Sequence, residues 1–373
     1  MSANDPKAAS RVQVLDLLRL VAVAAVIFYH YGFRGPPSQG VAQVALPWMA
    51  SFSQYGFLGV PIFFIISGFV IAYSAEGRTA AGFAIARFSR IYPTFLFCMT
   101  LTFVALLALG PPNFTTSFAQ WCANLFIAAP MFRQPYMDGA YWSLVVEVVF
   151  YGWVALLMAL KIFPRRIDLV ILIWLGLTFA NELTIDAPIF ERILLADDSG
   201  FFAVGLMIHE FYRGRRDLKL YTVFSLSAGT AVFQSLHRAT HIESPAGVSF
   251  DFGVIVAICL VSIAVIFLAT RLPRLPLPAG LVMAAGGITY PLYLRHQQLG
   301  YVVLNAIQPA SVIWAVAAII AGVVLLSWIV WRFVERPAQR WTKTMLTAEA
   351  ERRGWPVSAS RMSLPAGVGR SAA

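Results

Sequence analysis

Charge is what this chain has least of. Of its 373 residues only 12% are Asp, Glu, Lys or Arg, whereas 59% are hydrophobic, and mean hydropathy is +0.72. Soluble proteins carry about 25% charged residues. The deficit excludes a disordered chain, a nucleic-acid binder with a solvated face and an ordinary soluble enzyme. Cysteine is scarce as well. Cys98, Cys122 and Cys259 are odd in number and scattered, which argues against a disulfide framework and leaves no metal site. Period-two alternation is missing from the apolar runs. The fold class expected is therefore an all-α integral membrane protein rather than a β-barrel. The N-terminus, MSANDPKAAS, lacks the basic-then-apolar pattern and cleavage site of a secretory signal, so the first apolar run is expected to stay as a helix.

About 20 apolar residues cross a bilayer. The runs 14–33, 57–76, 91–110, 141–160, 167–183, 199–212, 219–236, 251–270, 280–303 and 311–334 predict about ten transmembrane helices. The stretch 111–140, rich in Pro and aromatics, is expected to lie on the surface or dip into the bilayer without crossing it. With the N-terminus inside, 22 of the 28 Lys and Arg residues fall in inner segments and four (Arg34, Arg133, Arg192, Arg238) in outer loops. Such asymmetry predicts both termini cytoplasmic. It also accounts for the net charge of +10 without a nucleic acid as partner. The domain reading is a cytoplasmic N-terminal segment at 1–12, one transmembrane domain at 13–344 and a disordered cytoplasmic tail at 345–373.

Ionisable residues inside spans are functional candidates by default. The first helix carries three: Asp16, Arg19 and His30. At about 100° per residue, the step from Arg19 to His30 returns to within about 20° of one face, and His30 lies about 16 Å further on. Asp16 can pair with Arg19 at i,i+3. A competing reading has Arg19 snorkelling, Asp16 only pairing with it and His30 at the interface. Arg87 and Arg90, in ARFSRIYP, share a face at the inner surface. They suit bidentate phosphate contacts, or else are ordinary inner-side charge. Glu147 lies about 9 Å below Tyr141 on its helix, a depth compatible with His30, so that it could orient the imidazole as a general base. Trp142 fits an interfacial aromatic belt. In GGITYPLYLRHQQLG, Pro291 breaks the helix, and Arg295 and His296 reach the same outer half as His30. His209, His237 and His241 receive no role.

Read in order, these strings resemble acyltransferase family 3 over residues 11–341. They are Asp16 with the Arg-x10-His pattern from Arg19 to His30, LGVPIFFIISGF, Arg87-x-x-Arg90 followed by Ile-Tyr-Pro, WSLVVEVVFY with Glu147, TYPLYLRH, and the closing Glu-Arg-Pro. The resemblance implies a multi-pass protein of a bacterial inner membrane, with membrane lipid around it. It implies acyl-CoA, in particular acetyl-CoA, as a donor from the cytoplasm, no metal, and a carbohydrate acceptor hydroxyl on a cell-surface or secreted glycan or glycosylated product. It further implies His30 as the catalytic residue and Arg87 with Arg90 as the donor-binding element. Glu147, Arg19 and Asp16 join His30 as catalytic candidates, and Trp142, Ser143, Tyr293 and His296 are candidates for the substrate side. Direct attack with His30 as base and a transient acyl-histidine both stay open. The alternative from another class is a secondary transporter or lipid-linked glycan flippase, which also carries intramembrane charges.

Overall fold

The computed structural model describes residues 6–35, 47–110, 114–246, 248–272, 277–307 and 312–358. The chain begins with α1 (Pro6–Tyr29), which runs into a π turn at His30–Arg34. Next come α2 (Pro47–Ser53), a 3-10 turn and α3 (Gly59–Ala75), then α4 (Ala80–Leu109), α5 (Phe118–Asn124) and α6 (Tyr141–Ala159). The middle of the chain holds α7 (Ile167–Ala180), α8 (Pro188–Ile193), α9 (Ser199–Tyr212), α10 (Leu218–Ala246) and α11 (Phe252–Ala269). It ends with α12 (Ala279–Tyr293), α13 (His296–Ile307), α14 (Val312–Val330) and α15 (Arg336–Arg352). No strand occurs among the described residues, and one isolated bridge joins Arg78 to Ser358.

Seven stretches among the described residues are long and apolar enough to cross a membrane. They are Val14–Arg34, Trp48–Ala75, Ala80–Leu109, Tyr141–Ala159, Ile167–Ile185, Phe252–Ala269 and Ile313–Arg352. This is a multi-pass membrane protein whose described residues are predominantly helical.

Three of the expected spans do not meet that standard, each for its own reason. The run 199–212 forms α9, whose 14 residues reach only about 21 Å. Ser199 through Phe211 are all buried against the rest of the protein. The run 219–236 lies within α10, 29 residues long, whose Ser227, Thr230, Gln234 and Ser235 are buried. The run 280–303 is two helices, α12 and α13, interrupted at Leu294–Arg295. The segment 111–140 holds only the seven-residue α5 and a short 3-10 turn among its described residues, neither long enough to cross.

The tail expected to be disordered from residue 345 is corrected for residues 345–358. α15 runs to Arg352, Thr79 Oγ1 donates to the Pro356 carbonyl, and Ser358 bridges Arg78. The reason is packing on the start of α4: Gly82 presses against the Val357 carbonyl so closely that a Cβ would lie 1.8 Å from it. Residues 359–373, and residues 1–5 of the expected N-terminal segment, lie outside the described residues.

The core forms where α3 meets α9. Gly68 and Gly205 face each other there: a Cβ at Gly68 would be 2.3 Å from the Phe202 carbonyl oxygen, and one at Gly205 would be 2.1 Å from that of Ile65. Small residues at such crossings let two backbones approach. Phe64, Phe150 and Phe202 stack beside the crossing, with centroids 4.7 and 4.1 Å apart. Replacing Gly205 by Val must push α9 off α3. Overpacking of this kind costs about 1–3 kcal/mol, so the detergent-solubilised Gly205→Val protein is expected to melt at a clearly lower temperature than the parent chain.

Candidate active site

The candidate residues separate into two groups along α1. Toward its start, Arg19 Nη1 bonds Asp16 Oδ1 at 3.1 Å, the i,i+3 pair expected from the spacing. The pair sits against Gly286 of α12, where a Cβ would come within 2.7 Å of Asp16. Arg19 lines a small cavity of about 40 Å³ together with Arg87, Arg90, Ser67, Glu147, Tyr151 and others. Glu147 Oε1 accepts from Ser67 Oγ at 2.7 Å and from the Tyr151 hydroxyl. The Arg87 guanidinium lies 6.0 Å from the Tyr151 ring. Arg19 Nε and Arg87 Nε are buried without a hydrogen-bond partner. A buried guanidinium with N–H groups to spare is receptive to an anion or a carbonyl oxygen.

Successive residues of α3 pass from this cavity (Val70, Ile71) to a larger one (Ala72 to Ala75) of about 1080 Å³. The larger space is lined by the α3–α4 turn, with Glu76, Arg78 and Thr79, and by His209, Tyr212 and Arg213 at the end of α9. Glu76 meets His209 Nε2 at 3.3 Å and Arg213 at 3.4 Å, and these cationic neighbours hold its carboxyl below the usual glutamate range.

Eleven residues further along α1 the helix loosens into the π turn, and Gly35 N donates to the His30 carbonyl at 2.8 Å. Wide turns of this type are frequent at functional sites. His30 is only 8% exposed and lines a cavity of about 580 Å³ with Arg34, Trp142, Tyr293, Glu182, His237, Arg238 and His241, among others. Its Nδ1 lies 3.1 Å from the Tyr301 hydroxyl, and its ring centroid is 5.0 Å from that of His296.

The four substrate-side candidates gather at this end. Tyr293 and Trp142 line the cavity. Ser143 Oγ is 2.6 Å from the Tyr293 hydroxyl, and the wholly buried His296 bonds the Tyr293 carbonyl through Nδ1 at 2.7 Å. Glu147 does not join them: its carboxylate bonds Ser67 and Tyr151 at the Arg19 end, so the pairing with His30 expected from its depth is not formed. Trp142 and Ser143 at the start of α6 lie at the His30 end, and Glu147, about a turn further along the helix, lies at the level of the arginines instead.

Arg295 belongs to neither group. It is fully buried, and its Nε donates to the Pro291 carbonyl and its Nη2 to Ser327 Oγ of α14, at 3.1 and 3.0 Å. The break between α12 and α13 leaves that carbonyl without its usual helical donor, because Arg295 N bonds Leu292 instead. Several residues at the His30 end had no obvious sequence signal. Tyr301 is one. His237 and His241 are others; they lie one turn apart on α10, with Nε2 atoms 2.7 Å apart. Glu182 reaches His237 Nδ1 at 3.0 Å.

The start of α13 is held from outside the helix. Asp138 Oδ1 accepts from Ala140 N and Oδ2 from Gln298 N, both at 2.9 Å, so the carboxyl serves a first-turn N–H of α13 in the manner of a cap.

Residues 12–332 match the family model for the acyltransferase domain of acyltransferase family 3. The chain is 26% identical to Nodulation protein 10 of Rhizobium leguminosarum bv. viciae, across 89% of this chain and 94% of that protein. No solved structure matches it.

Burial raises the Asp138 carboxyl to about 7, although the two backbone N–H groups act in the opposite direction. In an unfolded chain it would ionise near about 4. Between those values the folded protein holds a proton that the unfolded chain has released, so stability falls as pH rises through this window and levels off above it. Thermal melts between pH 5 and 8 should show this loss in the parent chain and a flatter profile in Asp138→Asn.

Proposed function

The chain belongs to acyltransferase family 3 and is an acyltransferase of the membrane, and on that premise we propose that it carries an acyl group, acetyl in the simplest case, from cytoplasmic acyl-CoA to a hydroxyl of a cell-surface or secreted glycan. The single observation that carries this reading is the pair of chambers along one helix: Arg19, Arg87 and Arg90 line the first, and His30 lines the second. Ten crossings with both termini cytoplasmic, in the inner membrane of a bacterium, belong to the same proposal and put the arginine end on the donor side.

In this reading the donor is divided between two spaces. A cavity of about 40 Å³ around Arg19, Arg87 and Arg90 is far too small for a nucleotide, whereas the neighbouring one of about 1080 Å³ has room for it beside Arg78 and Arg213. In this reading the nucleotide end occupies the larger cavity. Arg87 and Arg90 guide the donor where the slim arm enters, and Glu147 moderates their charge. Asp16 holds Arg19 in place at the base of α1. The thioester then advances about 16 Å along α1 toward His30. A sugar hydroxyl ionises far above neutral pH and needs a base as it attacks. His30 takes that proton while the new C–O bond forms, the C–S bond breaks, and the departing thiolate leaves as CoA thiol once reprotonated. Tyr293, Trp142, Ser143 and His296 frame the acceptor, an aromatic and hydroxyl-bearing wall suited to a sugar face.

Inside-out membrane vesicles supplied with radiolabelled acetyl-CoA test the scheme, with label counted in the recovered glycan. His30→Ala is expected to abolish incorporation at unchanged protein level. Full incorporation by that variant, or incorporation only in intact right-side-out vesicles, would overturn the mechanism or the orientation respectively. Arg87→Ala should raise the KM for acetyl-CoA about tenfold or more, the loss of one charge-assisted contact, with an unchanged KM refuting its donor role.

A further inference from the structure

Tyr301 sits on α13, 271 residues from His30 in sequence, and only 2% of its surface is exposed. Its hydroxyl makes two contacts with the same residue: Oη lies 3.1 Å from the His30 carbonyl oxygen and 3.1 Å from His30 Nδ1. A phenol has one proton to give and lone pairs to receive. The carbonyl oxygen can only accept, so the phenol proton must lie on that contact. Toward Nδ1, Oη therefore acts as acceptor, and Nδ1 must carry hydrogen. Which ring nitrogen of a histidine is basic follows from the bond made by the other. Here that leaves Nε2 with the lone pair.

The surroundings are shaped around this phenol. The π turn directs Gly35 N to the first lone pair of the His30 carbonyl, and Tyr301 takes the second. Gly35 itself makes the room: a Cβ there would stand 2.6 Å from both the Tyr301 ring and the His30 carbonyl oxygen. His296 is held by a different partner. Its Nδ1 is committed to the Tyr293 carbonyl, which likewise requires hydrogen on Nδ1, and its Nε2 is buried without a partner.

We propose that Tyr301 is a positioning residue that holds His30 as the Nδ1–H tautomer and leaves Nε2 as the nitrogen that removes the acceptor proton; this rests on the reading of His30 as general base. The proton moves from the acceptor hydroxyl to Nε2 and from there to the sulfur of the departing thiolate. Throughout, the Nδ1–H bond to Oη is kept and the phenol stays neutral. The charged imidazolium thus keeps the bond that oriented the neutral ring.

The test uses the full chain labelled with 15N-histidine in detergent, with His30 signals assigned by difference against His30→Gln. Under mildly alkaline conditions His30 is expected as a single Nδ1–H tautomer. Finding it as Nε2–H would overturn the proposal without any further variant. Tyr301→Phe should give a mixture of tautomers and an acetyl-transfer rate lower by about 10- to 100-fold, typical for loss of an orienting partner. Its KM for acetyl-CoA should stay within about twofold. An unchanged tautomer in a folded Tyr301→Phe protein would refute the positioning role. Should His30→Ala prove fully active, the base reading falls while the tautomer result stands on its own.

Discussion

A charged or hydrogen-bonding group taken into an apolar helix bundle must find its partner inside the protein, because no water is there to supply one. Most of the buried polar side chains in this chain answer that demand by tying helices together. Thr178 and Ser199 share a hydrogen bond between α7 and α9, and Gln234 of α10 bonds both Ser199 and the Ala196 carbonyl. The buried Asp168 of α7 and Glu210 of α9 are bridged by the partly exposed Arg215. Arg295 spends its Nε and Nη2 on the α12–α13 break and on Ser327 of α14. Of the few buried polar atoms left over, Arg19 Nε, Arg87 Nε and His296 Nε2 belong to the two groups along α1. Unspent bonding capacity of this kind is what a ligand can use.

The same constraint explains why one helix organises the site. α1 carries Arg19 and His30 on nearly the same stripe, eleven residues apart, and both ends of the stripe meet α12 or α13. At one end Gly286 of α12 admits Asp16; at the other Tyr301 of α13 engages the loosened turn. α12 and α13 part at Leu294–Arg295, just beyond Pro291 within α12, and the second helix presents Tyr301 and His296 to His30. A continuous helix over 280–303 would not be free to do so. The break that removes a span from the hydropathy pattern therefore also builds the His30 end of the molecule.

Much of this was legible in one dimension. Seven of the expected spans and the Asp16–Arg19 pair follow from local periodicity. Other readings depended on surroundings that spacing does not encode. α9 is apolar and buried throughout, and hydropathy does not distinguish lipid from protein as the apolar surroundings. Glu147 lies deeper than His30, at the level of Arg19, because the start of α6 already sits beside the His30 end. Residues past 345 have a polar composition, yet those up to 358 are ordered by α4 and Gly82.

The sequence by itself determined what depends on neighbours within a few turns: helices, their apolar lengths, charge asymmetry, and which ionisable residues share a stripe. Those properties are written into spacing, since a helix repeats every 3.6 residues wherever it lies. The tertiary structure decided which stripes meet. It sent Glu147 to the arginines and brought Tyr301 across 271 residues to His30, because those contacts depend on how helices rotate and approach under steric limits set at Gly35, Gly68, Gly205 and Gly286. No local pattern encodes those rotations.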